Sequence, residues 1–229
     1  MAMRRDSNDP KPAGGFADAS GSESYFDQAA ATWDDNPSRV ELAASVAKAM
    51  GQDVPLRADM QIMDFGCGTG LITYHLAPQV ASVTAADVSA EMLAALRRKA
   101  EASGMTHVQP LLLEAEDAAP AAVSCDAIVS SMVFHHVADI PQLLQRFGTW
   151  IRPDGWVAVA DLEPEDGTFH SSHTHVVHHG IEPFGLASQM ENAGFAVKSV
   201  RTVHTLRRQP EGATDVRVYP VFLLAAQKM

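Results

Sequence analysis

The residues with the clearest chemical potential lie in the segment Asp64-Phe65-Gly66-Cys67-Gly68-Thr69-Gly70. It ends the apolar stretch 62–65 and leads into a helical pattern at 71–76, which is the position of a nucleotide-binding glycine loop. Glycines let the chain turn sharply and let a ligand approach the backbone closely. Their spacing is shorter than that of a dinucleotide fingerprint. A carboxylate at Asp64, just ahead of the loop, suits a ligand with an ammonium group better than a pyrophosphate.

Two further acidic positions follow predicted strands. Asp87 ends the second strand, where a carboxylate accepts hydrogen bonds from ribose hydroxyls. An acid at this place also commonly caps a helix, and Ser89 is a second capping candidate. Glu114 follows the third strand, where an acid reaches the exocyclic amine of a bound adenine. The other acids of the segment 114–117 are equally well explained as a solvated turn.

Histidines are concentrated after the fifth predicted strand. Five of the ten lie within ten residues: His170, His173, His175, His178 and His179. Imidazoles there would orient or deprotonate a substrate, since they titrate near neutrality. The alternatives are a polar lid with ordinary hydrogen bonds, or a divalent metal held together with Glu163, Glu165 or Asp166. The spacing does not match His-Glu-x-x-His. We therefore favour the substrate role and assign no metal ligand.

The elements that position these residues alternate between strands and helices. This order predicts an α/β, doubly wound, Rossmann-like sheet of seven strands in a three-layer α/β/α arrangement. Because a short polar turn at 210–214 joins the last two strands, the last strand is expected to run antiparallel in a mostly parallel sheet. Strands are predicted at 62–65, 80–86, 108–113, 127–131, 156–161, 195–205 and 216–226. Helices are predicted at 71–76, 91–102, 140–150 and 183–193.

The domain organisation follows from changes in residue composition and hydrophobic periodicity along the chain. Residues 1–22 are rich in small and polar types without periodicity, which predicts a disordered tail. Residues 23–229 are expected to form one domain. Its first part, 23–55, is predicted to be a helical cap whose second helix stops at Gly51.

Composition limits the classes of partner. Seventeen basic residues against 28 acidic ones give a formal net charge of −11, which disfavours nucleic acid. The sequence has no apolar run of membrane-spanning length and no signal-peptide pattern at its start, so we expect a cytoplasmic protein without a membrane partner. Cys67 and Cys125 are expected to be free thiols. Monomer and homodimer remain equally open.

The motifs together resemble the class I S-adenosylmethionine-dependent methyltransferases, in particular the ubiquinone/menaquinone-biosynthesis group. The resemblance covers residues 25–229. It rests on the segments 62–70, 86–89 with Met92, 114–117, 126–131 with 135–137, and 151–155, and on the aromatic start of the cap. Two positions depart from the group: an aspartate usually stands at the place of Glu114, and a glycine at the place of Asp154, where we expect a turn.

The resemblance implies a site for S-adenosyl-L-methionine, with S-adenosyl-L-homocysteine as the product. Gly66 and Gly68 would contact the methionine part, Asp87 the ribose, Glu114 the adenine edge and Met92 the adenine face. The full predicted cofactor set is Asp64, Gly66, Cys67, Gly68, Gly70, Asp87, Val88, Met92, Glu114, Ala115 and Ser130.

Few catalytic residues are expected, because the sulfonium is already an activated methyl donor and the reaction mainly needs two aligned centres. A base is required only where the acceptor has a proton to lose. The predicted catalytic residues are His135, His170, His178 and His179, whereas His136 is expected to be structural. The predicted function is methyl transfer to O, N, C or S of a small-molecule acceptor. Alternatives are a dinucleotide-dependent oxidoreductase and a non-catalytic adenosyl- or metal-binding regulator.

Overall fold

Seven strands form one mixed sheet in a computed structural model that describes residues 25–113, 124–170, 176–210 and 212–229. Their order across the sheet is β3-β2-β1-β4-β5-β7-β6. Strands β1 to β5 pair in parallel, and β7 pairs antiparallel with both β5 and β6. The strands are β1 Gln61–Phe65, β2 Ser82–Asp87, β3 Val108–Leu112, β4 Cys125–Ser131, β5 Ile151–Leu162, β6 Phe195–Arg208 and β7 Arg217–Lys228. The predicted sheet, including the antiparallel last strand, is confirmed.

Helices cover both faces of this sheet. They are α1 Pro37–Asp53, α2 Leu71–Leu76, α3 Ala90–Ala102, α4 Ile140–Trp150 and α5 Pro183–Asn192, with 3₁₀ turns at Ala30–Asp35, Ala77–Gln79 and Phe134–His136. Helices α1, α2 and α3 bury their apolar sides in one core, and α4 and α5 in the other. Successive strand residues alternate between the two cores, as Ile62 and Met63 do in β1. The predicted three-layer arrangement is confirmed.

Several predicted element boundaries differ from the observed ones by a few residues, and two of these differences have a clear physical reason. Helix α1 passes through Gly51 and ends at Asp53. Val54 adopts an extended conformation because Pro55 follows it, and the residue before a proline avoids the helical region. Strand β5 begins at Ile151, five residues earlier than predicted, so the expected turn at 151–155 is part of the strand. Asp154 has a φ of 63°, which explains why a glycine suits this position.

The predicted disordered tail, 1–22, lies outside the described residues. None of the described helices combines the length and the apolar character needed to cross a bilayer.

Candidate active site

A pocket of about 450 Å³ opens at the carboxyl ends of the central strands. Loops after β1, β2, β4 and β5 meet there, because parallel strands point their carboxyl ends to the same edge of the sheet. One part of its wall contains the glycine loop with Asp64 and Asp87, which we call the glycine-loop side. Another part contains His135, His136 and His170, which we call the histidine side. The pocket joins the predicted glycine loop and its acids to two of the four predicted catalytic histidines, His135 and His170.

The glycine loop has the backbone geometry that its sequence predicts. Gly66 and Gly68 have φ values of 73° and 53°, a region that side chains with a Cβ disfavour. A Cβ on Gly66 would lie 2.3 Å from Cγ2 of Val133, whereas one on Gly68 would meet no atom within 4 Å. The loop therefore packs closely at Gly66 and leaves the backbone of Gly68 accessible to a ligand.

Asp87 organises the glycine-loop side through backbone hydrogen bonds. Its Oδ2 accepts from the amide of Gly68 at 2.7 Å, and its Oδ1 accepts from the amide of Ser89 at 2.9 Å. Burial raises the pKa of the Asp87 carboxyl. A carboxylate has about four acceptor positions, so these two bonds leave capacity for ligand hydroxyls. Ser89 itself caps α3, because its Oγ accepts from the amide of Met92 at 3.1 Å.

Asp64 is a buried carboxyl at the end of β1 that also lines the pocket. Its Oδ2 accepts from Oγ1 of Thr73 at 2.5 Å. Burial, reinforced by the nearby charge of Asp87, raises the pKa of Asp64 to about 7 against the effect of the Thr73 bond. A cationic group in the pocket would lower the pKa of Asp64 again by stabilising the ionised carboxylate. Burial likewise raises the pKa of the neighbouring Cys67 thiol well above its usual value, so Cys67 is an uncharged wall residue.

The start of the cap is anchored directly to the glycine loop. Oδ1 of Asp34 accepts from Oγ1 of Thr69 at 2.5 Å, and its Oδ2 pairs with Nζ of Lys99 at 2.5 Å. Asp27 accepts from Oγ of Ser89 at 2.6 Å. Sequence reasoning missed these two acids. Their separation of seven residues could have indicated them, because it places both carboxylates on one side of a helical segment.

His135 and Asp161 form a buried pair on the histidine side. Nδ1 of His135 lies 2.6 Å from Oδ1 of Asp161, and the His135 amide donates to Oδ2 at 3.2 Å. Burial alone would raise the pKa of Asp161, but His135 and the backbone donors hold it below its ordinary range. Asp161 ends the fifth predicted strand, and sequence reasoning did not assign it a role.

Two more imidazoles stack against His135. The ring centroids of His136 and His170 lie 4.1 Å and 4.9 Å from that of His135. Nε2 of His135 and Nε2 of His170 are both buried without a hydrogen-bond partner among the described residues. Burial and the two neighbouring histidines lower the pKa of His170 to about 3, so its ring is neutral. His136, which was expected to be structural, also lines the pocket.

The structure places His178 and His179 beside the pocket wall, not on it. Nε2 of His178 donates to the carbonyl of Val137 at 2.9 Å, and the amide of His178 donates to the carbonyl of His135 at 3.0 Å. His179 is 64% exposed and lies 3.5 Å from a carboxylate oxygen of Glu165. His178 therefore holds its loop against the segment that contains His135.

The three acids that the sequence offers as metal partners have other partners in the structure. Glu163 accepts from Thr202, Glu165 from the amides of Thr168 and Phe169, and Asp166 pairs with Arg217. These carboxylates do not join the histidine side.

The remaining predicted cofactor residues divide into three groups. Val88 and Met92 line the pocket with the residues already described. Gly70 and Ser130 do not line it: Gly70 is the N-cap of α2, and Oγ of buried Ser130 donates to the carbonyl of Phe65 at 2.9 Å. Glu114 and Ala115 form the third group and lie outside the described ranges, as do four further residues that the sequence analysis names: Glu116, Asp117, His173 and His175.

Aromatic and arginine side chains complete the histidine side. Phe26 of the cap lies edge-on to His136, with ring centroids 5.6 Å apart. The guanidinium of Arg39 lies 3.7 Å from the ring centre of Trp33. Arg208, at the end of β6, lies over Phe169 and donates to its carbonyl. Sequence reasoning missed Phe26 and both arginines as pocket residues, because no local motif connects the far end of β6 with the cap.

Comparison with known sequences agrees with this geometry. Residues 62–155 match a family model described as a methyltransferase domain. An uncharacterised methyltransferase of Schizosaccharomyces pombe is 28% identical over 155 residues, which are 61% of this chain and 55% of that protein. A ubiquinone biosynthesis O-methyltransferase of Rhizobium leguminosarum is 32% identical over 103 residues, 45% of this chain and 40% of that protein. The chain thus spans about half or less of the length of these relatives.

Solved structures share the whole fold. A SAM-dependent methyltransferase from Aquifex aeolicus is 20% identical, with a TM-score of 0.66 over 90% of this chain and 98% of the other. A DhpI–SAH complex is 21% identical, with a TM-score of 0.69 over 91% and 96%. At 20% and 21% identity, the similarity to these structures concerns the fold. The family model additionally matches the sequence that contains the glycine loop. Residues 62–155 therefore resemble a methyltransferase domain, and the strand order and the glycine loop agree with the fold of these solved methyltransferases.

Proposed function

We propose that the chain binds S-adenosylmethionine on the glycine-loop side and transfers its methyl group to a small molecule on the histidine side. The observation that carries this proposal is the single pocket that contains both sides. Methyl transfer by in-line displacement requires donor and acceptor in one water-poor space, with their reacting atoms aligned. A pocket with apolar and aromatic walls and a few convergent polar groups meets that requirement.

Each part of the cofactor has a matching group on the glycine-loop side. The ammonium of its methionine part is complementary to the buried carboxyl of Asp64, and the open space beside Gly68 leaves room for the rest of the methionine part. Asp87 has acceptor capacity for the ribose hydroxyls. Met92 and Val88 provide apolar surface for the adenine ring. These assignments use the side chains as they already stand, without rearrangement of the strands.

The acceptor region combines apolar walls with imidazoles. Phe26, Trp33 and Phe169 supply aromatic surface, which favours an acceptor with an apolar body. His135 and His170 supply the polar groups that face it. The carboxylate of Asp161 orients His135, which places the second ring nitrogen toward the acceptor. The histidine side therefore positions the acceptor heteroatom.

The alternatives fit the pocket less well. A dinucleotide would place a pyrophosphate on the loop that follows Asp64, where a buried acid opposes it. A nucleic-acid acceptor would meet an acidic chain of net charge −11. A non-catalytic binding protein has no need for a second, histidine-lined space next to the cofactor groups.

Calorimetric titration with S-adenosylhomocysteine, with NADH in parallel, tests the cofactor assignment. We expect micromolar binding of the first compound and none of the second. Binding of NADH alone, or of neither compound, would contradict the proposal. If S-adenosylhomocysteine binds, a screen of small acceptors with isotopically labelled S-adenosylmethionine tests transfer. Binding without transfer to any O, N, C or S acceptor would favour a regulator.

A further inference from the structure

We infer that His135, His136 and His170 form a binding site for one divalent transition-metal ion. One ligand atom from each ring can be chosen so that all lie within 4.8 Å of one another. Two of the rings come from the 3₁₀ turn after β4 and the third from the loop after β5, so the site depends on the fold and not on a sequence motif. Three imidazoles that converge in this way are a common ligand set for zinc, iron, nickel and copper.

Asp161 prepares His135 for coordination. Because its carboxylate accepts from Nδ1 at 2.6 Å, a proton is held on that nitrogen. Nε2 then presents its lone pair to the pocket. A carboxylate behind a histidine is the usual arrangement at protein metal sites, where it fixes the orientation of the ring and strengthens it as a ligand. The buried pair therefore has the geometry of a ligand with its supporting group.

The unpartnered nitrogens point to a ligand as well. Nε2 of His135 and Nε2 of His170 are buried, and neither has a hydrogen-bond partner among the described residues. Leaving a buried polar atom unpaired costs about 1–3 kcal/mol. An ion between the rings would satisfy both atoms at once. Ligand nitrogens in a tetrahedral zinc site lie about 3.3 Å apart, so small rotations of the half-buried rings of His136 and His170 would complete the site.

The position of the site suggests its use, on the condition that the proposed methyl transfer is right. Three protein ligands leave one coordination position open, and here it faces the space for the acceptor. An acceptor hydroxyl bound at this position would have a lowered pKa and would lose its proton to solvent. Its oxygen then forms the O–CH₃ bond while the C–S bond breaks. The electron pair of that bond returns to sulfur, which leaves a neutral thioether and a methyl ether.

Metal binding can be measured without turnover. Tag-free protein is treated with a chelator and titrated with Co²⁺, whose visible spectrum reports coordination, and then with Zn²⁺ as a competitor. We expect one Co²⁺ per chain and displacement by Zn²⁺. His170→Ala and His136→Ala should each weaken Co²⁺ binding at least a hundredfold, because each removes one of three ligands. His75→Ala, which removes an exposed imidazole of α2, is the matched control and should bind Co²⁺ like the unmodified chain.

Absence of stoichiometric Co²⁺, or unchanged affinity in both cluster variants, would overturn the site. Equal loss in His75→Ala would do the same. Asp161→Asn adds a test of orientation: we expect 10–100-fold weaker Co²⁺ binding, with recovery of the spectrum at saturating metal. Titrating the metal-free protein with S-adenosylhomocysteine separates the two proposals. If the cofactor binds and Co²⁺ does not, only the metal-site proposal is contradicted. If Co²⁺ binds and the cofactor does not, the metal-site proposal stands and the methyl-transfer proposal is contradicted.

Discussion

The two sides of the pocket are built in different ways. On the glycine-loop side, the polar groups already have partners: Asp87 accepts from two backbone amides, and Asp64 accepts from Thr73. On the histidine side, two buried imidazole nitrogens lack a partner among the described residues. Polar groups that already have hydrogen-bond partners keep their positions before a ligand binds. Buried polar groups without a partner gain their missing interactions from the ligand. Substitutions on the glycine-loop side should therefore lower both the stability of the fold and the affinity for ligands. Substitutions on the histidine side should lower mainly the affinity for ligands.

The largest effect is expected from Gly66→Ala. The new Cβ would lie 2.3 Å from Cγ2 of Val133 in a backbone conformation that alanine disfavours, so the loop must move. We expect at least a hundredfold loss of affinity for S-adenosylhomocysteine by calorimetry. Gly104→Ala is the matched control, because Gly104 also has a positive φ of 67° but no atom within 4 Å of the added Cβ. It should lower stability by about 1 kcal/mol and leave affinity unchanged. Equal affinities in the two variants would contradict the closely packed loop.

Asp87→Ala should have the next largest effect. It removes the proposed ribose acceptor and also leaves the amides of Gly68 and Ser89 without their partner. We expect affinity for S-adenosylhomocysteine to fall about 10–100-fold, which corresponds to the 1–3 kcal/mol of a lost charged hydrogen bond. Asp139→Ala is the control, since Asp139 also accepts from a backbone amide at a helix start but lies at α4. Unchanged affinity in Asp87→Ala would remove Asp87 from the cofactor site.

The same contrast explains what the sequence could predict. The glycine-loop side comes from two short segments, 62–70 and 86–92, each of which connects the end of a strand to the start of the next helix. Local patterns therefore predicted its members and their order. The alternation of strands and helices likewise predicted the seven-stranded sheet, because it depends on chain-local periodicity.

The histidine side could be predicted only in part. Its residues come from the cap, the turn after β4, the loop after β5 and the end of β6, which only tertiary packing brings together. Of the four predicted catalytic histidines, His135 and His170 lie on this side, His178 and His179 lie beside it, and His136, expected to be structural, stacks against His135. The end of α1 shows the same limit on a smaller scale. Gly51 is a typical stop signal, but packing and Pro55 set the boundary two residues later.

A pH dependence should distinguish the two sides further. Because burial raises the pKa of Asp64 to about 7, the carboxyl must lose a proton before it pairs with the ammonium of the cofactor. We expect affinity for S-adenosylhomocysteine to fall about tenfold for each pH unit below 7 and to level off above it. Asp64→Asn should bind more weakly at pH 8 and show no such slope. Calorimetry from pH 5.5 to 8.5 measures both, and a slope retained in Asp64→Asn would assign the titration to another group.

The unliganded protein gives an independent measurement of the same group. The pKa of Asp64 is about 7 in the folded chain, against an ordinary value of 3.8. Between these values the folded chain holds a proton that the unfolded chain has lost, so stability should decrease as the pH rises through this window. Chemical unfolding of the unmodified chain and of Asp64→Asn should differ in slope there. Parallel curves would contradict the buried, protonated carboxyl.

The smallest effects are expected from the two loop histidines beside the pocket. His178→Ala loses the bond to the carbonyl of Val137, which should lower the free energy of unfolding by about 1 kcal/mol. Its backbone bond to His135 remains, so affinity for S-adenosylhomocysteine should stay within twofold. His179→Ala removes an exposed ring and should change stability by less than about 0.5 kcal/mol. A large loss of cofactor affinity in either variant would mean that this loop reaches the glycine-loop side, and the division of the pocket into two sides would have to be redrawn.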